Sequence, residues 1–238
     1  MKLSAPIFHL KRRAKILSRE AQIPLHQALD QIASGEGFAR WSLLAEHASS
    51  TTSASQLLSR LAPGELLLLA ARPGHGKTMM GLSLLATAVN RGQRGFFFTL
   101  ECNEKEVLDR FRRVGGDLAA ASARFDYDTS DAICADYIIE NLTDAPQGSV
   151  VVIDYLQLLD QRRENPDLGS QLQRLKSFSK ASGVILVLIS QIDRSFELSD
   201  RPCPDMGDIR LPNPVDLSLF NKACFINDGQ VQMETVGR

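Results

Sequence analysis

The spacing of hydrophobic residues changes along this chain near residue 50. Before that point they recur every three or four positions, as at Leu10, Ala14 and Leu17, which is the period of an amphipathic helix. After it, short uninterrupted apolar runs such as residues 150–153 alternate with helical stretches. Such runs are typical of parallel strands that are buried on both faces. The pattern therefore predicts a small helical module followed by a larger α/β domain.

The first part of the chain is predicted to hold three helices. The first carries the apolar stripe described above, the second begins at Pro24, and the third carries Trp41 after Gly35 and Gly37 interrupt the chain. Residues 49–56 are small and polar, as in a linker, so we place the boundary there, with a module at 1–50 and the main domain at 51–238. Because fifty residues bury little apolar area, this module is expected to pack against the main domain or against a protein partner.

In the second part, strand-like and helix-like segments alternate. The predicted strands are 66–70, 95–100, 150–153 and 184–189, and the predicted helices are 79–90, 104–114, 131–142 and 169–181. A hairpin turn is expected at residues 227–229, which read Asn-Asp-Gly. Alternating strands and helices predict a doubly wound, mainly parallel sheet whose ligand lies at the carboxyl ends of the strands.

A glycine-rich segment, Ala71 to Thr78, joins the first predicted strand to the first helix of this domain. It has the composition of a phosphate-binding loop, in which glycines let successive N–H groups point at phosphate oxygens. Lysine and threonine at its end would contact the outer phosphates and Mg²⁺ respectively. The sequence therefore predicts ATP and Mg²⁺ as cofactors. The predicted nucleotide contacts are Arg72, Pro73, Gly74, His75, Gly76, Lys77, Thr78 and Met79.

Polar side chains follow three of the predicted strands. Asp154 ends one apolar run and is expected to orient Mg²⁺, the alternative being a cap on the following turn. Glu101 follows another strand and would polarise the attacking water, although on spacing alone it equally suits an acid at a helix N-terminus. Gln191 would contact the γ-phosphate; taken alone, it is an ordinary polar strand end.

Composition limits the possible classes of function. The chain of 238 residues is 44% hydrophobic and has a net charge of −1, so any nucleic-acid binding must come from local basic groups. Its four cysteines lack metal-ligand spacing, which indicates reduced thiols. No apolar stretch approaches the roughly 20 residues of a membrane span, and the basic N-terminus has no apolar signal segment. We therefore expect a cytoplasmic protein without a membrane partner.

Five segments, in order, resemble the ATPase motifs of the DnaB-type replicative helicase core. They are Ala70-Ala-Arg-Pro-Gly-His-Gly-Lys-Thr78, Thr99-Leu-Glu101, Val152-Ile-Asp-Tyr-Leu-Gln-Leu158, Ser190-Gln-Ile-Asp-Arg-Ser195 and Asp208-Ile-Arg210. The resemblance covers residues from about 60 to about 220, and its most specific part is Ile-Asp-Tyr-Leu-Gln. The family also shares the alanine that replaces the first glycine of the loop.

The resemblance implies a RecA-like P-loop NTPase fold, ATP hydrolysis, a hexameric ring and single-stranded DNA in its central channel. It makes Glu101 the catalytic base, Asp154 the Walker B acid and Gln191 the sensor of the γ-phosphate, with Lys77 in the catalytic set. Two loops would line the channel, one after Asp154 and one over residues 193–207. The implied DNA contacts are Arg162, Arg163, Arg194 and Arg201. A solvated surface loop is the alternative, since acidic residues flank these arginines.

The chain also departs from that family. Its ring ATPases carry a basic finger in a Lys-x-Arg-x-Gly-Pro pattern, and this sequence contains no such pattern, leaving Lys222 or Arg210 as substitutes. We expect the helical module to take the place of the family's large N-terminal domain, and its basic residues 11–15 offer a second possible contact with nucleic acid. Three functions stay open: a compact DNA helicase, a nucleotide-gated adaptor or loader with weak hydrolysis, and an ATPase that acts on protein.

Overall fold

The computed structural model describes residues 4–5, 7–49, 54–121, 123–156, 159, 165–199, 201–210, 213, 215–227 and 229–236. The helices are α1 Ile7–Glu20, α2 Leu25–Gly35, α3 Trp41–Ser49, α4 Ala54–Ser59, α5 Lys77–Asn90, α6 Glu104–Arg113, α7 Leu118–Ala121, α8 Ala135–Asn141 and α9 Leu168–Ser182. The strands are β1 Leu66–Ala71, β2 Gly95–Thr99, β3 Phe125–Asp128, β4 Val150–Asp154, β5 Ile185–Gln191, β6 Lys222–Asn227 and β7 Gln230–Thr235.

The strands form one seven-stranded sheet in the order β3-β2-β4-β5-β1-β6-β7. Every neighbouring pair is parallel except β6 and β7, which are antiparallel and are joined by the predicted hairpin connection. The predicted mainly parallel sheet is therefore confirmed. The four predicted strands all form, and the sequence pattern missed β3, a short strand at the edge of the sheet.

Helices cover both faces of this sheet, as a doubly wound α/β fold requires. One face packs against α4, α5 and α6, and the other against α8 and α9. Helix α5 lies directly on the sheet, because a Cβ atom at Gly81 would come within 3.0 Å of the side chains of Ile189 and Val152. A side chain at position 81 would push this helix away from β4 and β5. This close packing holds the first turn of α5 against the carboxyl ends of the strands.

The N-terminal module has the three helices that the pattern predicts. Its small core is built from Leu10, Ala33 and Leu44, with Trp41 packed against them as a partly buried side chain. Helix α4 begins at Ala54, inside the segment that we predicted as a linker, and buries two leucines against the α5 face of the sheet. The division of the chain near residue 50 stays a prediction.

Candidate functional site

The register of the sheet brings the predicted strand-end residues to one face. Side chains alternate along a strand, and Phe97, Val152 and Ile189 all lie in the core under α5. Thr99, Asp154 and Gln191 each follow one of these by two positions and therefore point to the same face. Thr99 is aligned with Asp154, and Gln191 is aligned with Ala71 at the start of the phosphate loop. The sheet thus gathers these polar groups beside the first turn of α5.

The loop between β1 and α5 has the backbone of a phosphate cradle. Gly74 and Gly76 have φ angles of +77° and +83°, a left-handed conformation that glycine adopts without strain. Apart from its chain neighbours, no described residue has an atom within 4 Å of a Cβ built on either glycine, so the space beside the loop is open among these residues. Gly76 is the N-cap of α5, whose first residue is Lys77. The positive end of a buried helix therefore faces this open space, as anion binding requires.

The predicted catalytic carboxylate lies against the predicted phosphate-binding lysine. Glu101 Oε2 is 3.5 Å from Lys77 Nζ, and the lysine is buried. The backbone N–H of Glu101 donates to the hydroxyl of Thr99 at 3.1 Å. Asn103 and Glu106 form the capping box of α6, so Glu101 is not the cap of that helix. The contact with Lys77 is what a catalytic carboxylate at this strand end would make, and the role of Glu101 as the base stays a prediction.

Asp154 is the most deeply buried ionisable group of the site, with 0% of its surface exposed. Neither carboxylate oxygen has a hydrogen-bond partner in the described structure. Burial raises its pKa to about 6, while the nearby Thr78 hydroxyl and Lys77 ammonium act to lower this pKa. The Thr78 hydroxyl is close but makes no hydrogen bond of normal geometry with it. An unpartnered carboxylate beside a threonine fits Mg²⁺, a hard cation that prefers oxygen ligands, and it does not fit a turn cap.

The raised pKa of Asp154 predicts a stability cost of ionising this residue. The folded chain keeps a proton on Asp154 up to about pH 6, whereas an unfolded aspartate loses it near pH 4. The free energy of unfolding of the ligand-free chain should therefore fall, by up to about 3 kcal/mol from this group, as the pH rises through that window. Asp154→Asn should remove this dependence and raise the Tm of the ligand-free chain at pH 7.5.

Thermal unfolding at pH 5 and pH 7.5, with and without ATP and Mg²⁺, measures both consequences. ATP with Mg²⁺ should stabilise the wild type and should stabilise Asp154→Asn much less. Asp109→Asn is the matched control, because Asp109 is a surface carboxylate that pairs with Arg112 in the next turn of α6. A variant at Asp154 that kept the full Mg²⁺-dependent rise in Tm would exclude this residue from the metal site.

Gln191 ends β5 and is tied to two other segments through its backbone. Its carbonyl accepts the N–H of Arg210 at 2.8 Å, and the next residue, Ile192, donates its N–H to the carbonyl of Ala71 at 3.1 Å. Ile192 also bridges to Ile209. The strand end that carries Gln191 is therefore hydrogen-bonded to the phosphate loop on one side and to residues 209–210 on the other.

An ion pair joins the phosphate loop to the segment after β5. The guanidinium of Arg72 contacts the carboxylate of Glu197, which lies in the short 3-10 helix Arg194–Leu198. Arg72 Nε is buried and makes no hydrogen bond among the described residues. A movement of either segment would therefore shift the other through this ion pair.

The four arginines predicted to contact DNA are only partly described. Arg162 and Arg163 lie outside the described residues. Arg194 is exposed at the start of the 3-10 helix after β5, whereas Arg201 forms an ion pair with Asp208 at 2.5 Å. The two described arginines belong to one segment but differ in their charge environment, since an acid of the same segment neutralises Arg201.

Sequence reasoning missed three residues around the carboxylates. Thr99 is fully buried and accepts the backbone N–H of Glu101. The positive charge of Arg110, on α6, acts to lower the pKa of Asp154, and Cys102 is a buried thiol whose pKa is raised by burial. Thr99 could have been recognised from the sequence as a hydroxyl residue near the end of a predicted strand. Arg110 and Cys102 carry no signal in the sequence, because their position depends on how α6 packs.

One suggested substitute for the family's basic finger, Lys222, is paired within its own chain. Lys222 begins β6, at the end of the sheet opposite the phosphate loop, because β6 runs parallel to β1. Its ammonium pairs with Glu65 and donates to the carbonyl of Arg60 at 2.6 Å. Lys222 is thus engaged within its own chain and away from the site. Lys222 and Arg210 both stay predictions as substitutes for the finger, since a finger supplied to a neighbouring copy need not lie near its own site.

Two kinds of feature are absent from the described part of the chain. No group of three or more His, Cys, Asp or Glu side chains there has the arrangement of a metal site. Within the same residues no helix combines the length and apolar character that a membrane span requires.

Known proteins resemble this chain in sequence and in fold. A family model described as an AAA domain matches residues 38–194. The replicative DNA helicase DnaB of Mycoplasma genitalium is 28% identical over 207 residues, an alignment covering 69% of this chain and 44% of the helicase. The chain therefore spans less than half the length of that curated relative.

Solved structures share the fold at low identity. A DnaB-like replicative helicase, described with its interactions with primase, superposes with a TM-score of 0.59 at 16% identity and covers 93% of this chain and 67% of its own. A KaiC-like protein of the archaeon Pyrococcus horikoshii gives a TM-score of 0.52 at 18% identity, covering 68% of this chain and 70% of its own. With the loop and carboxylates in place, the chain belongs to the AAA domain family, and its core is a RecA-like ATPase domain of the DnaB type.

Proposed function

We propose that this chain binds and hydrolyses ATP with Mg²⁺ and acts on single-stranded DNA as a compact helicase or translocating ATPase. One observation carries the proposal: Lys77, Thr78, Glu101 and Asp154 converge beside an open glycine-rich loop. A cation, a hydroxyl and two carboxylates at the N-terminus of a buried helix are what phosphoryl transfer with a metal ion requires.

Binding of the triphosphate falls to the loop and the first turn of α5. Backbone N–H groups of residues 74–78 would donate to phosphate oxygens in the open space, and the buried ammonium of Lys77 supplies a fixed positive charge for the outer phosphates. Before nucleotide binds, Glu101 neutralises this ammonium. A γ-phosphate would replace Glu101 as the partner of Lys77, which would leave the carboxylate free to accept a proton.

Hydrolysis needs a base and charge stabilisation at the same place. Thr78 and Asp154 would hold Mg²⁺, which when bound offsets charge on the phosphates. Glu101 is partly exposed, so water reaches it, and Thr99 holds its backbone in position. A carboxylate in this position can orient a water molecule and take its proton.

Coupling to DNA would run through the end of β5. Gln191 would sense the γ-phosphate, and its backbone is bonded to residue 210 while the next residue is bonded to the phosphate loop. The segment that follows carries exposed Arg194 and the Arg72–Glu197 ion pair. We also propose assembly into a ring of six copies and a protein partner for residues 1–50, both of which rest on the resemblance to DnaB-type helicases.

The test is an ATPase assay on the purified chain, with and without oligodeoxythymidine, combined with its mass in solution. We expect Mg²⁺-dependent hydrolysis that single-stranded DNA stimulates, and a mass that rises on addition of ATP and DNA. Tight ATP binding without hydrolysis, with or without DNA, would contradict the motor and favour the nucleotide-gated adaptor. Hydrolysis that DNA leaves unchanged would favour an ATPase that acts on protein.

A further inference from the structure

The phosphate loop opens with a tight turn, and Arg72 is the first residue of that turn. The carbonyl of Arg72 accepts the N–H of His75 at 3.1 Å, which closes a β-turn over residues 72–75. Pro73 and Gly74 occupy the middle of this turn, and Gly74 has a φ angle of +77°, as the third position of a type II turn requires. The position of Arg72 therefore helps to set the direction of the N–H groups that follow it in the cradle.

The side chain of Arg72 leaves the loop towards the segment after β5. It lines a cleft of about 260 Å³ together with Phe196 and Glu197, and neither Gly74 nor Gly76 lines that cleft. The side chain of Arg72 is 23% exposed, and its guanidinium pairs with the carboxylate of Glu197. The backbone of Arg72 thus shapes the cradle, while its side chain is engaged with a different part of the chain.

The backbone that carries Glu197 is positioned without help from the phosphate loop. Asp193 caps the 3-10 helix Arg194–Leu198, because its side chain accepts a backbone N–H at 2.8 Å. Phe196, in the middle of that helix, is 4% exposed and packs in the core cluster on the α8 and α9 face of the sheet. The core and the cap therefore fix where Glu197 lies, and Arg72 meets it there.

Two contacts join this segment to the start of the phosphate loop. The N–H of Ile192 donates to the carbonyl of Ala71 at 3.1 Å, and the ion pair between Arg72 and Glu197 is the second contact. The backbone bond fixes the end of β1, whereas the ion pair acts one residue later, on the turn itself. Because its arginine is partly shielded from water, this pair attracts more strongly than a fully exposed one.

We propose that Glu197 is a positioning residue for the phosphate loop, which through Arg72 holds the turn in the shape that binds a nucleoside diphosphate or triphosphate. The inference rests on the proposed function and adds a second link between the nucleotide and the segment after β5. The contact proposed for Gln191 needs a γ-phosphate, whereas the link through Glu197 acts on the loop itself. ADP and ATP should therefore respond to it equally. By linkage, a ligand that displaces this segment would weaken both nucleotides by the same factor.

The test is a double-mutant cycle in the full chain, with Glu197→Gln, Arg72→Gln and the two changes together. Glutamine removes the charge and keeps a polar side chain. Asp136→Asn is the matched control, because Asp136 forms a surface ion pair with Arg174 that joins α8 to α9. Calorimetry measures the affinities for ADP and for ATP, both with Mg²⁺ and without DNA, and the Tm of each ligand-free variant checks folding.

We expect Glu197→Gln to weaken ADP and ATP by the same factor, about threefold, as befits a partly exposed pair. Arg72→Gln should lose the same factor, and the double variant should lose no more, because both changes break one contact. In hydrolysis assays the KM of Glu197→Gln should rise while its kcat stays as in the wild type. Glu197→Asp, which keeps the charge, should lose less than Glu197→Gln, and the control should match the wild type.

Three outcomes would overturn the inference and leave the proposed ATPase standing. Losses that add in the double variant would show that Arg72 contacts the nucleotide directly. Wild-type affinity in Glu197→Gln would show that the ion pair has no effect on the loop, and a loss confined to ATP would place the link at the γ-phosphate. A wild type that bound neither ADP nor ATP would instead refute the proposed function together with the inference.

Discussion

Glu101→Gln should bind ATP as tightly as the wild type and hydrolyse it at least about 100-fold more slowly. Glutamine keeps the size of the side chain, so the packing near Lys77 is preserved, but it does not accept a proton from water. Because the lost interaction belongs to the transition state, the effect falls on kcat. Nucleotide binding measured by fluorescence, together with single-turnover hydrolysis, separates these two quantities.

Glu104→Gln is the matched control for this change. Glu104 lies three residues further on, in the first turn of α6, and accepts a hydrogen bond from Tyr127 rather than contacting Lys77. It should leave turnover unchanged. Wild-type turnover in Glu101→Gln would exclude Glu101 as the base and would leave its contact with Lys77 as a purely structural ion pair.

Lys77→Ala should weaken ATP binding by roughly 100-fold or more, since it removes a buried cation that faces the phosphates. It should act on the metal site as well. The ammonium of Lys77 helps to lower the pKa of Asp154, so its loss should raise this pKa further above 6 and weaken Mg²⁺ binding near neutral pH. Calorimetric titration of ATP at pH 6.5 and pH 8.5 checks both effects.

Lys105→Ala serves as the control, because Lys105 is an exposed cation on α6. The deficit of Lys77→Ala should be larger at pH 6.5 than at pH 8.5. A deficit that did not change with pH would mean that Lys77 contacts the phosphates without influencing Asp154. An affinity equal to that of the wild type would overturn the phosphate-loop assignment itself.

The buried strands were predictable because each is an uninterrupted apolar run, and such runs arise where helices cover both faces of a sheet. β3 was missed because Phe-Asp-Tyr-Asp, residues 125–128, alternates apolar and acidic residues over only four positions at an edge. Helix α4 was missed for a different reason. Its start is small and polar, and only the burial of Leu57 and Leu58 reveals that it belongs to the core.

The candidate site could be predicted as far as local motifs reach. The glycines of the loop and the acid at the end of β4 are visible in the sequence, because each directly follows a buried strand and has the residue type that phosphate or Mg²⁺ binding needs. Roles that depend on how separate segments meet had no such signal. The ion pair between Arg72 and Glu197 spans 125 residues of sequence.

The common orientation of Thr99, Asp154 and Gln191 rests on parity, since each lies an even number of positions from a residue under α5. Exchanging one side chain for another leaves that parity intact. Deleting a single residue inside β4 or β5 would leave the residue types of the motif unchanged. It would nevertheless turn the carboxylate of Asp154 or the amide of Gln191 towards α9, on the opposite face of the sheet. We therefore expect length variation among related chains to fall in the connections between strands, since a gap within β2, β4 or β5 would be incompatible with a working site.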